Sequence, residues 1–176
     1  MNTSPIEKYD TSWIESLALE EINMEESGYI RFTDAANPAR VLEESSVEFM
    51  NKLKDRFEFY VSLFNQFSSN RDQGRKIKVF RISNTINDFM MFRNTLKLIV
   101  SRRSADVISV GFLSSSGGLF ATRIPGDQTP GMPQIHEIKA HVGPFNNVTW
   151  RYQGEVVEVE ALVRYYLAEF IRNSAR

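Results

Sequence analysis

The sequence predicts an α+β fold: an antiparallel sheet of about five strands packed against a long helix in the N-terminal half and a C-terminal helix. Three observations predict it. Met50, Leu53, Phe57, Tyr60, Phe64 and Phe67 recur at steps of three and four, the spacing of one helix face. Val159, Leu162, Val163, Tyr166, Phe170 and Ile171 repeat that spacing near the C-terminus. Between these stretches lie alternating segments broken by SSSGG and GPFNN, turn chemistry suited to hairpins. Helices at both ends with strands between them fit α+β order, not the strand–helix alternation of a doubly wound sheet.

The 176 residues suit one domain, 1–176, with residues 1–35 as an acidic helical extension. That extension opens with Ser12 and Glu15 in a capping-box spacing. Trp13, Ile14, Leu17, Leu19 and Ile22 follow only loosely helical spacing, and Gly28 is the expected stop. A short extended piece is expected over Tyr29–Phe32. Asn37 and Pro38 then suit the start of the long helix, which should end by Gly74.

KIKVFRI, Lys76–Ile82, alternates as a strand. A further helix is expected from Ser83 or Asn84 through Ile86, Phe89, Met90, Phe92, Leu96 and Ile99, with Arg102 and Arg103 at its negative end. Strands follow over Asp106–Leu113, Leu119–Ile124, Gln134–Val142 and Val148–Gln153. The Pro125–Pro133 loop is too proline-rich for a central strand and is expected at the surface. After Gly154 the last helix runs from Glu158 to Arg172.

Composition removes several functions. With no cysteine, disulfides, thiolate metal sites, Fe–S clusters and cysteine nucleophiles are excluded. No apolar run approaches the roughly 18 residues of a membrane helix, and MNTSPIEKYD lacks the layout of a signal peptide. A cytoplasmic protein without membrane association is expected.

SSSGG lacks the lysine and following helix of a phosphate loop, and GFLSS lacks the serine placement of a hydrolase elbow. It reads as a hairpin tip. His136 and His141, five apart on a strand, fall on opposite faces and cannot share a metal. No catalytic set, metal set or cofactor is expected.

Charge is uneven. Residues 1–30 carry −6 and residues 71–105 carry +7, although the whole chain is −1. Lys76, Lys78 and Phe80 fall on one strand face, an aromatic among bases that suits single-stranded nucleic acid, with Arg81, Arg102 and Arg103 nearby. Edge lysines and helix-end arginines account for the same residues, so nucleic acid is disfavoured here. Phe49, Phe59 and Leu63 widen the long helix's apolar surface beyond one stripe and suit self-association. By subtraction the sequence points to a non-enzymatic protein–protein interaction or scaffold module, homodimeric. The alternatives are a small apolar-ligand-binding domain and a binder of single-stranded nucleic acid.

Overall fold

The structure, a computed structural model, describes residues 10–28, 37–68, 76–114 and 135–175. The chain divides into two compact units, Met1–Asn37 and Pro38–Arg176.

The first unit contributes helix α1, Ser12–Ser27. The capping box does not form, because Ser12 already lies within the helix and Thr11 is the N-cap. Asp10 takes over instead, its carboxylate accepting from the Ser12 backbone N–H at 3.0 Å and the Ser12 hydroxyl at 2.6 Å. Gly28 ends the helix at φ 64°, donating its N–H to the Met24 carbonyl, the left-handed cap that glycine adopts without strain. No residue of α1 is buried.

The second unit is α+β. Among the described residues, helix α2 (Pro38–Ser68) is followed by seven strands and helix α3 (Val159–Ser174). The strands are β1 (Lys78–Arg81), β2 (Phe89–Arg93), β3 (Leu96–Ser104), β4 (Val107–Ser114), β5 (Ile135–Val142), β6 (Val148–Tyr152) and β7 (Glu155–Val156). They pair antiparallel in chain order, each beside its predecessor. Seven strands replace the expected five or so. The expected extended piece over Tyr29–Phe32, the expected strand over 119–124, the SSSGG tip after Ser114, the Pro125–Pro133 loop and the Gly74 stop all lie outside the described residues.

The largest departure is the expected helix from Ser83 to Ile99, which is the β2–β3 hairpin. Asn84 (φ 62°) and Asn87 (φ 64°) turn the chain out of β1, and Asn94 (φ 55°) turns it again after β2. Asparagine tolerates this left-handed conformation, which no helix interior accepts. Phe89, Met91 and Arg93 alternate inward with Leu96, Leu98 and Val100 opposite. Arg102 and Arg103 are therefore strand residues, not helix-end cations. Gln153 (φ 51°) and Gly154 (φ 89°) form a further tight turn, so β7 intervenes before α3 begins.

Both helices cover one face of the sheet. Phe89, Val100, Val110 and His136 stand opposite one another across β2–β5 and share that face. Phe57 of α2 packs on Phe89 at 5.9 Å between ring centroids, and Tyr166 of α3 packs on His136 at 5.9 Å. Met50, Leu53 and Phe57 are fully buried, Tyr60 and Phe64 half-buried and Phe67 exposed, so the predicted stripe leaves the core toward the end of α2. Burying each large apolar side chain contributes about 1.5–3 kcal/mol. Tyr60 donates to Glu160 at 2.8 Å and Arg56 pairs with the same carboxylate at 2.9 Å, tying α2 to α3. Among the described residues, no helix is long and apolar enough to cross a membrane.

Candidate ligand pocket

Along β5, His136 and Ile138 are buried while Ile135, Glu137 and Lys139 are exposed. The alternation carries His136 under α3 and leaves His141 exposed on the opposite face. On α3, Val163, Tyr166, Leu167 and Phe170 enter the core. One step around the helix, Ala161, Leu162 and Tyr165 stay above it. The Gln153–Gly154 turn folds the chain back, and the Val157 N–H donates to the Trp150 carbonyl at 2.8 Å. The result is a cavity of about 330 Å³ between α3 and the β5–β7 end of the sheet.

The walls are aromatic and aliphatic. Tyr152, Tyr165 and Tyr166 line the cavity with Ile138, Val157 and Leu162. Tyr165 and Tyr166 meet edge to face at 5.4 Å and 87°, and His136 meets Tyr152 at 5.4 Å and 72°. The polar centre is the hydrogen bond between Tyr166 Oη and His136 Nδ1. Burial pushes the Tyr166 phenol far up, with the neighbouring Tyr165 and Tyr152 adding to the shift. Tyr166 therefore stays protonated, a neutral hydroxyl paired with the imidazole. Burial, then the Glu169 carboxylate, raises Tyr165 as well. Glu155 and Glu158, both exposed, form an acidic part of the rim, and among the described residues no lysine or arginine lines the cavity.

The residues singled out in the sequence lie elsewhere and do not converge. Lys78 and Phe80 project from the sheet face away from the helices, and Lys76 is exposed just before β1. Arg81 alternates to the opposite side, in register with Phe89. Arg102 is engaged by α2: its Nε donates to Ser46 Oγ at 2.7 Å and its guanidinium pairs with Glu43. Arg103 is exposed at the bulged end of β3. Phe49 stacks on Trp150 at 5.0 Å and serves the core, whereas Phe59 is 54% exposed and Leu63 half-buried.

Sequence reasoning missed Tyr152, Tyr165 and Tyr166 because their convergence depends on the β6–β7 turn. The available signal was the alternation that placed His136 beside Ile138 on the inward face. Among the described residues, no group of three His, Asp or Glu could hold a metal ion. The chain matches no family model, and neither curated proteins nor solved structures provide a match.

Proposed function

We propose that the protein binds a small, largely apolar ligand between α3 and the β5–β7 end of the sheet, in the cytoplasm. One observation carries the reading: an aromatic-walled cavity of about 330 Å³ built around a buried imidazole–phenol pair. Its size falls within the range of small-ligand sites, which are concave, mostly apolar and furnished with few polar groups. The Glu155 and Glu158 carboxylates oppose anionic ligands, so neutral or cationic molecules fit better.

Ala161→Trp tests the site, because Ala161 is an exposed helix residue whose enlarged side chain would fill the cavity. Titration with small neutral phenols and naphthyl alcohols, followed by tyrosine fluorescence and thermal shift, should show saturable binding to wild type. Ala161→Trp should keep the circular dichroism spectrum and lose that binding. Equal binding by both proteins would refute the assignment.

A second reading, self-association through α2, rests on Phe59 at 54% and Phe67 at 85% exposure. Phe59, half-buried Leu63 and Phe67 follow at steps of four along one helix stripe. Light scattering at micromolar concentration tests it. A mass near 20.3 kDa for wild type would exclude a dimer.

A further inference from the structure

The sheet face turned away from α2 and α3 has an unusual composition. Antiparallel sheets covered on one side commonly alternate apolar residues inward with polar residues outward. Here two outward rows cross the strands. Phe80, Met90, Ile99, Gly111 and Ile135 stand opposite one another in turn from β1 to β5. Beside that row run Lys78, Phe92, Lys97 and Leu113. Phe80 is 42% exposed and Ile135 54%, while Met90, Phe92 and Ile99 are half-buried among their neighbours. The row is close-packed: a Cβ at Gly111 would come within 3.1 Å of Ile135 Cγ1.

The Lys78–Phe92–Lys97 ladder is the informative part. Neighbouring strands lie about 4.8 Å apart, so two ammonium-bearing chains flank one aromatic ring across about 10 Å. Phe80 sits one strand over and two residues along from Phe92, at the diagonal cross-strand position. Lys139 and Arg151, opposite each other on β5 and β6, extend the positive charge, while Glu137 pairs with Lys139 at 3.9 Å. Among the described residues the face is therefore cationic around an aromatic and aliphatic centre. A second copy laid on it would oppose positive charge to positive charge, which disfavours self-stacking. A polyanion carrying flat apolar rings satisfies both features.

We propose that this sheet face, left uncovered by α2 and α3, binds single-stranded nucleic acid, with bases stacking on Phe80 and Phe92 and phosphates meeting Lys78 and Lys97. Stacking on these rings requires unpaired bases, so duplex is excluded from the aromatic centre. The lysines supply the sequence-independent, salt-sensitive part of the affinity. This assignment is independent of the ligand pocket, which lies under α3 on the other face.

The test is fluorescence anisotropy of the full chain with labelled single-stranded dT20 and U20, and with a 20-base-pair duplex, across a salt series. Single strands should bind better than duplex. The slope of log K against log salt should fall by about 1.4 in magnitude when Lys78→Gln and Lys97→Gln are combined, about 0.7 for each phosphate that no longer meets an ammonium group. Phe80→Ala should weaken binding about tenfold and Phe80→Tyr should restore it, because a phenol still stacks. Circular dichroism melting of each variant establishes that the fold is retained. No binding at low salt, equal affinity for duplex, or binding indifferent to Phe80→Ala would overturn the proposal. So would a wild-type dimer that Phe80→Glu dissociates, since a second copy would then occupy the face.

Discussion

The side-chain amide of Asn65 pairs with both backbone groups of Ile77: Nδ2 donates to the carbonyl at 2.9 Å, and the Ile77 N–H donates to Oδ1 at 3.0 Å. One helix side chain thus imitates a neighbouring strand just before β1 and holds the sheet edge to α2. Ile77 itself is 3% exposed, so the groups Asn65 satisfies are removed from water. Asn65→Leu should cost about 1–3 kcal/mol, two hydrogen bonds at roughly 0.5–1.5 kcal/mol each. Urea denaturation measures it. An unchanged midpoint would show that water replaces the amide without loss.

Tyr166 should give the protein an alkaline limit. Its phenol is raised from the ordinary value of 10.0 by burial, so the native state holds this proton more tightly than the unfolded chain. The stabilisation is complete below pH 10 and is lost as pH rises from there toward the native value. Tyr166→Phe should therefore lower stability near neutral pH by about 1–3 kcal/mol, through the lost bond to His136. It should also flatten the fall above pH 10. Melting temperatures from pH 8 to 11 compare the two proteins, and parallel curves would contradict the assignment.

Asn94 performs two tasks. It holds φ 55° between β2 and β3, and its amide donates to the Ser174 carbonyl at 2.5 Å at the end of α3. Asn94→Gly keeps the turn and loses the cap, at a cost of about 0.5–1.5 kcal/mol. Asn94→Val should cost more, because a β-branched residue strains the left-handed turn as well. Thermal unfolding should rank asparagine above glycine above valine.

Phe57 and Phe59 separate the core from the surface of α2. Phe57 is fully buried against Phe89, so Phe57→Ala should cost about 3–5 kcal/mol. Phe59→Glu should leave the unfolding midpoint within about 0.5 kcal/mol, as exposed substitutions commonly do. If α2 mediates association, it should reduce the mass seen by light scattering.

The same physics explains which elements the sequence disclosed. Helix α2 was legible because Met50, Leu53 and Phe57 repeat against a polar background. Strands β5 and β6 were legible because their outward positions are polar, as at Glu137, Lys139, Thr149 and Arg151. The β2–β3 hairpin was not. Met90, Phe92 and Ile99 are apolar and face outward, so FMMFRNTLKLIV has no clean period of two and shows helix-like spacings. The residues that disguised the hairpin are those that make its open face unusual. Strand β7 has only two residues, too short for any pattern. For the candidate sites, Lys78 and Phe80 fell on one face as their spacing implied, but their partners Lys97 and Phe92 were hidden by the helix assignment. The pocket depends on a turn that brings Tyr152 of β6 to the adjacent Tyr165 and Tyr166 of α3, a tertiary event with no local signature.

The meander also sets a timetable for synthesis. Each strand finds its partner in the segment just made, but α2 must wait. Ser45 accepts from the Trp150 indole across 105 residues, and Tyr60 reaches Glu160 across 100. At roughly 5–20 residues per second, Ser45 and Tyr60 leave the ribosome on the order of 5–20 s before these partners are made. During that interval the longest helix among the described residues is only partly covered, an apolar surface on an unfinished chain.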